Sequence, residues 1–166
     1  MIQKNYNLAQ HNTFGIPCIA EQFAEVHDST QLFELLAEAG HPEKILLLGG
    51  GSNVLLPDRL SGLVLHNRIG GIEVVEQQGD EVVISVGSGV NWHEFVLWTI
   101  RQGFCGVENM ALIPGTVGAA PIQNIGAYGV ELKDVFESCE ALHINSGKIK
   151  TFDNQECQFD YRNSVF

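Results

Sequence analysis

Four apolar residues in a row, Ile45-Leu46-Leu47-Leu48, run directly into Gly49-Gly50-Gly51-Ser52-Asn53. A short, fully apolar run reads as a buried strand, and the glycines that follow deliver it into a tight loop. With no Cβ in the way, such a loop is free to take positive φ, and its successive N–H groups can converge on an anion. Ser52 and Asn53 add side-chain donors. An ordinary strand-ending turn needs fewer glycines, since each one adds chain entropy that folding must overcome. The familiar phosphate cradles do not match. A Rossmann fingerprint requires a glycine three residues after Gly51, where Val54 stands, and Leu55-Leu56-Pro57 does not open a helix. A P-loop requires Gly-Lys followed by Ser or Thr, whereas Gly147-Lys148 is followed by Ile149. A phosphate held here would rest in a nest made of loop alone.

The surrounding pattern predicts an α+β chain. Ala20 to Val26 reads as a strand, and Asp28 or Ser29 caps a helix with Leu32, Leu35, Leu36 and Ala39 on its apolar face, stopped by Gly40 and Pro42. With Ile45–Leu48 these segments form a β-α-β unit. Leu63-Val64-Leu65 is a further strand, and Ile72 to Gln77 and Glu81 to Val86 flank Gly79-Asp80 as a hairpin. Asn91, with Glu94 three residues on, resembles a capping box for a helix carrying Phe95, Trp98 and Thr99 on one face and ending at Gly103. Phe136 to Ile144, a turn at Asn145-Ser146-Gly147, and Lys148 to Phe152 suggest a second hairpin. The closing segment, Asp160 to Phe166, is aromatic-rich and lacks the polar, fraying tail of a domain end, so the sequence reads as cut there; a short strand tied into a sheet is the other reading.

Twenty acidic residues against 9 basic ones give the 166-residue chain a formal charge of -11. That balance opposes a polyphosphate backbone, so neither nucleic acid nor an anionic membrane is an expected partner. Cys18, Cys105, Cys139 and Cys157 form no C-x-x-C pair and read as reduced, mostly buried thiols. His93-Glu94 lacks the second histidine of a metalloprotease motif, because Leu97 occupies its place, and no metal is expected. The first residues carry no apolar signal segment and no run approaches the ~18 apolar residues of a membrane span, so a cytoplasmic protein is expected.

From Val107 to Val130 glycines and prolines punctuate an apolar stretch too long for a turn and too broken for a helix. Long irregular loops inside compact domains are usually functional. Small residues in Ile113-Pro114-Gly115-Thr116-Val117-Gly118-Ala119-Ala120-Pro121-Ile122-Gln123-Asn124 let backbone approach a ligand closely, and Thr116, Gln123 and Asn124 could orient one. Gly126-Ala127-Tyr128-Gly129 adds an aromatic with a polar tip. A flat ring with hydrogen-bonding edges would suit this surface. A long buried connection packed by its own small side chains is the other reading.

Several motifs occur in one order: Asn12-Thr13-Phe14-Gly15, Leu48 to Leu55, Gly106-Val107-Glu108-Asn109, Ile113 to Asn124, Gly126 to Gly129 and Tyr161-Arg162-Asn163-Ser164. Taken together, the chain resembles the N-terminal part of the UDP-N-acetylenolpyruvoylglucosamine reductase family. That resemblance implies an α+β, two-lobed FAD-binding fold of the vanillyl-alcohol oxidase type, with lobe 1 over residues 1–66, lobe 2 over 67–166, and the C-terminal substrate domain absent. Gly49, Gly50, Gly51, Ser52, Asn53 and Val54 would hold the pyrophosphate of a non-covalent FAD. Ile113, Pro114, Gly115, Thr116, Gly118, Ala119, Ala120, Ile122, Gln123, Asn124 and Gly126 would line the rest of the flavin.

The resemblance further implies that NADPH reduces FAD and that reduced flavin then passes hydride to the enolpyruvyl double bond of UDP-N-acetylglucosamine enolpyruvate. Hydride addition there builds negative charge beside a carboxylate, which a guanidinium in a partly dry site stabilises. Arg162 matches the family's arginine in that catalytic role, Tyr161 would help position the substrate, and Tyr128 matches a substrate-contacting tyrosine. The family's serine proton donor and late glutamate have no counterpart here, and Ser164 matches a different position. The chain is therefore expected to hold FAD without completing turnover. Two other readings stay open: an oxidoreductase of the same flavin fold acting on an alcohol or sugar lactone, and a non-catalytic nucleotide-binding module.

Overall fold

The computed structural model describes residues 1–40, 42–144 and 146–166. Strand β1 (Gln3–Asn7) leads through a 3-10 turn at Leu8–His11 to β2 (Ile19–Val26), then come helix α1 (Ser29–Glu38), β3 (Ile45–Leu48) and β4 (Arg59–Asn67). These strands form one sheet in the order β1-β2-β4-β3, with β1 antiparallel to β2 and both β2 and β3 parallel to β4. The expected β-α-β unit is present, but its two strands are not neighbours, because β4 lies between them. The residues around Leu63–Leu65 belong to a strand running from Arg59 to Asn67, longer than the apolar triplet alone predicts.

A central strand covered on both faces must be apolar on both, and Leu63, Val64 and Leu65 are at most 1% exposed. One face buries Leu63 and Leu65 with Ala24, Val26 and the α1 residues Leu35 and Leu36. Asp28 caps that helix by accepting a 2.8 Å bond from Gln31 N. The opposite face buries Val64 with Phe23 and Leu48, and is closed by Leu8 of the 3-10 turn, Cys18 and Leu56. Each of the Val, Leu and Phe side chains removed from water contributes about 1.5–3 kcal/mol to folding.

The rest of the chain has its own core. Strands β5 (Ile72–Gln78) and β6 (Glu81–Val86) form the expected hairpin, followed by helix α2 (Trp92–Gln102). Asn91 caps α2 through a 3.1 Å bond from Glu94 N, and Gly103 closes it with φ +79. The buried stripe of α2 is Trp92, Phe95, Val96 and Thr99, the i, i+3, i+4, i+7 pattern of one helical face. Trp98, expected on that face, is one residue off the stripe and tilts against Phe104 instead. Trp92 packs with Met110, Ala120 and Leu132, and its indole N–H donates to Met110 O at 2.8 Å.

Beyond α2 the chain makes 3-10 turns at Glu108–Met110, Val117–Ala119 and Pro121–Gln123, then the short antiparallel pair β7 (Gly126–Ala127) and β8 (Val130–Glu131). Strands β9 (Ser138–His143) and β10 (Lys148–Asp153) form the second hairpin; the turn residue Asn145 lies outside the described residues. The closing segment is not a strand. It makes a tight turn bridged at Asp160 and Asn163, and Val165 N donates to Cys157 O. Of the four free thiols, Cys18 and Cys157 are buried, Cys139 is half-buried and Cys105 is exposed, so burial is less general than expected.

Two histidines are packed into the first sheet. His66, in register with Leu48, meets His11 edge-on at 4.8 Å between ring centroids, and Tyr6 hydroxyl hydrogen-bonds with His11 Nε2 at 3.0 Å. Glu25 Oε1 is 3.4 Å from His66 Nδ1, which has no aligned hydrogen bond. Burial is the main reason both imidazoles titrate below their ordinary value; for His66 the neighbouring His11 and Arg68 lower it further against the opposing pull of Glu25. A histidine depressed in the folded state binds its proton more readily when unfolded, so its stability contribution is present above the unfolded value of 6.5 and is lost as pH falls toward the folded one. Thermal melts from pH 8 to pH 5 should show the midpoint falling below about pH 6.5, with a shallower fall in His66→Gln.

Candidate functional site

The glycine loop lies where β3 ends, and its shape is dictated by what it touches. Gly51 has φ +64, and a Cβ there would run into the carbonyl of His11. A Cβ on Gly49 would meet Thr116 Oγ1 at 2.7 Å, and one on Gly50 would meet Gly115 Cα at 3.4 Å. The loop is thus pressed against the His11 backbone on one side, where only glycine fits at position 51, and lies against Gly115-Thr116 on the other. Asn12 pins the 3-10 turn beneath it: its amide donates to Leu8 O and Ile16 O and accepts from Ile16 N. Thr13 N then donates to Gly51 O at 3.1 Å.

The donors of the loop itself are unused. None of the backbone N–H groups from Gly49 through Asn53 has a hydrogen-bond acceptor among the described residues. Unpaired N–H groups are rare in folded chains except where water or a ligand meets them. Gly50 and Asn53 are exposed and Gly49, Ser52 and Val54 half-buried, so the row is reachable. No charged side chain occurs from Gly49 to Val54 or from Ile113 to Gly126. An anion here would be held by backbone dipoles, which an overall charge of -11 does not prevent. These features fit a pyrophosphate.

The second loop is braced from behind. Trp92 N donates to Gly115 O, Val117 N to Val90 O and Gly118 N to Ser88 O, and Asn91 bridges Thr116. A Cβ on Gly118 would meet Ser88 Cβ at 2.6 Å, and Asn67 Nδ2 donates to Ser88 Oγ at 2.8 Å. The Gly87-Ser88-Gly89 turn therefore joins the end of β4 to the loop. Sequence reading missed its part, although glycines on either side of a serine were a visible sign of close approach. Pro114, Gly118, Ile122 and Gln123 are exposed and Ile113, Gly115 and Ala119 half-buried, giving a surface of small groups.

Four expected contacts are turned inward. Thr116, Ala120 and Gly126 are buried, and Asn124 is 0% exposed. Asn124 Nδ2 donates to Glu131 Oε2 and Asp160 O, and its Oδ1 accepts from Lys133 N. Asn124, expected to line the flavin, has no exposed surface and every group of its amide is engaged within the protein. Arg162 is brought to the same loop: Nη2 donates to Gly126 O at 2.6 Å and Nη1 to Asn124 O at 3.4 Å. Tyr128 and Tyr161 are 89% and 78% exposed, and Tyr128 and Arg162 both have positive φ, +53. Ser164 Oγ donates to Ile122 O and ties the closing segment to the loop.

The chain matches the FAD binding domain family over residues 20–153. The UDP-N-acetylenolpyruvoylglucosamine reductase of Flavobacterium johnsoniae is 49% identical over 165 residues, covering 99% of this chain and 49% of that protein. The reductase of the same description from Pseudomonas putida is 47% identical over 167 residues, with the same coverage. The chain thus spans about half the length of the curated relatives it matches. Among solved structures, the UDP-N-acetylenolpyruvylglucosamine reductase of Thermus caldophilus aligns with all of this chain and 56% of its own, with a TM-score of 0.76 at 24% identity. That likeness bears on the fold, and it agrees with the α+β FAD-binding architecture. With a match that extends over most of its length, and with a glycine loop packed against a braced loop of small residues, this chain belongs to the FAD-binding domain family.

Proposed function

We propose that this chain is the FAD-holding part of a UDP-N-acetylenolpyruvoylglucosamine reductase, which makes UDP-N-acetylmuramate for peptidoglycan from the enolpyruvyl UDP-sugar with NADPH as hydride donor. The observation that carries the proposal is the row of unpaired N–H groups from Gly49 to Asn53, pressed against Gly115-Thr116 in a chain similar over 99% of its length to proteins bearing that name. Residues 1–66 form the first lobe and 67–166 the second in this reading. The four free thiols suit a reducing cytoplasm, and no helix of the described residues is long and apolar enough to cross a membrane.

When bound, FAD would relay hydride from NADPH to the enolpyruvyl double bond. The work of this chain is to hold and orient. Backbone N–H groups of Gly49 to Asn53 would neutralise the pyrophosphate, and the 113–126 loop would present its small residues to the remainder of the cofactor. Ser52 and Asn53 side chains would add donors. Arg162 uses Nη1 and Nη2 on the carbonyls of Asn124 and Gly126, which fixes its plane. A guanidinium has five N–H donors, and the remainder are available to the substrate carboxylate, whose own oxygens take up the charge of the enolate. Tyr161 and Tyr128, both exposed, would contact the substrate.

Two outcomes test this. Purified protein titrated with FAD should gain a visible flavin band and quench flavin fluorescence. Gly51→Ala, strained at φ +64 and colliding with His11 O, should weaken FAD binding about tenfold or more. A wild-type protein that stays colourless overturns the cofactor assignment. In the full-length polypeptide, Arg162→Ala should lower kcat with the enolpyruvyl UDP-sugar by about 100-fold while FAD affinity holds. Arg162→Lys should recover little, because an ammonium cannot span both loop carbonyls in one plane. Steady-state rates and fluorescence titration separate the two effects.

A further inference from the structure

Beneath Arg162 lies a network that the proposed chemistry does not itself use. Asp160 and Asn163 close a tight turn by exchanging N–H···O bonds of 3.0 and 3.2 Å, with Tyr161 and Arg162 at its tip. Tyr161 N also donates to Asp160 Oδ1 at 2.7 Å. The base of that turn is held from below: Asn124 Nδ2 donates to Asp160 O at 3.1 Å. The tip is held by the same residue, since Arg162 Nη1 reaches Asn124 O and Nη2 reaches Gly126 O two residues on. One asparagine therefore fixes both the backbone that carries the guanidinium and one of the carbonyls on which it rests.

Asn124 is suited to this by type and by conformation. Its φ of +40 is a left-handed value that asparagine tolerates better than most residues. A primary amide offers two hydrogens and an acceptor oxygen, and all are engaged: Glu131 Oε2 at 3.2 Å, Asp160 O at 3.1 Å, and Lys133 N at 3.1 Å. Glu131 is itself held, with Lys133 Nζ at 2.6 Å. Its carboxyl titrates below the usual range chiefly because of that ammonium, with the Asn124 amide adding to the effect. The acceptor facing Asn124 is thus a steady negative charge, and a bond to a charged partner is stronger than a neutral one.

We propose that Asn124 is a positioning residue for Arg162: it places the guanidinium by bracing the 160–163 turn and the loop carbonyls together, and it does not contact the flavin. This inference rests on the reading of Arg162 given above. It predicts that a change at Asn124 harms substrate turnover through Arg162 while leaving cofactor binding nearly intact.

Asn124→Asp keeps size and left-handed tolerance but replaces the donors with acceptors facing Glu131 and the Asp160 carbonyl. Asn124→Gly keeps the backbone conformation without any side chain, and serves should the first variant fail to fold. Both are to be compared with Arg162→Ala and the double variant in the FAD-loaded full-length polypeptide. The readouts are FAD affinity, reoxidation of reduced flavin by the enolpyruvyl UDP-sugar, and amide hydrogen exchange over residues 160–166. Expected is a loss of about tenfold or more in reoxidation rate, FAD affinity within about threefold, and no further loss when Asn124 is changed in the Arg162→Ala background. Exchange over 160–166 should accelerate in the Asn124 variants. Full additivity with Arg162→Ala, or a loss of FAD affinity as large as the loss of rate, overturns the inference while leaving the reductase reading in place. An Arg162→Ala protein that turns over normally removes the role given to Arg162, and the inference with it.

Discussion

The structure depends on backbone meeting backbone where the glycine loop closes. Gly51 lies against the carbonyl of His11, Gly50 against Gly115, and Gly49 against Thr116 Oγ1. A methyl group on Gly51 would push the end of β3 away from the 3-10 turn after β1, and one on Gly49 would displace the Thr116 hydroxyl of the loop after α2. The approach also determines the chemistry. Gly51 O accepts from Thr13 N, whereas the N–H groups from Gly49 to Asn53 stay unpaired among the described residues, and backbone donors of that kind can meet an anion.

Around that contact the two cores do different work. The first sheet buries β4 on both faces and so delivers the end of β3 rigidly to the loop. The second core, centred on Trp92, Met110 and Leu132, holds a stretch with almost no regular structure. A loop that long stays ordered because its backbone is bonded from outside, by Ser88, Val90 and Trp92 on one side and by the 160–164 segment on the other. Rigid elements carry the site, and irregular backbone forms it, which is the usual division where small ligands are bound.

Regular elements were legible wherever periodicity or capping spoke locally. Strand β2, helix α1 with its Asp28 cap, the two hairpins and the Asn91–Gly103 helix lie where the pattern of apolar residues and breakers places them. Strand order was not legible, because β4 enters the middle of the sheet through pairings with β2 and β3 that no local window contains. Trp98 was misplaced for a related reason: an aromatic looks like core in a sequence, but the buried stripe of α2 is decided by which neighbours arrive, and Trp92 takes that place. Asn124 is the sharper case. A polar residue among glycines and alanines reads as a ligand contact, and only the arrival of Glu131, Lys133 and Asp160 shows it turned away.

By itself the sequence determined the composition of the site: three glycines that permit close approach, a second loop free of charge, and a Tyr-Arg pair near the end of the chain. It could do so because those properties belong to residue types, namely the missing Cβ, the absent charge and the planar guanidinium. Tertiary structure decided which of these groups face outward and which brace the others. Hydrogen-bond donors are satisfied by whatever lies in reach after folding, so the free N–H groups of Gly49 to Asn53, the enclosed amide of Asn124 and the clamped guanidinium of Arg162 exist only once distant segments have met.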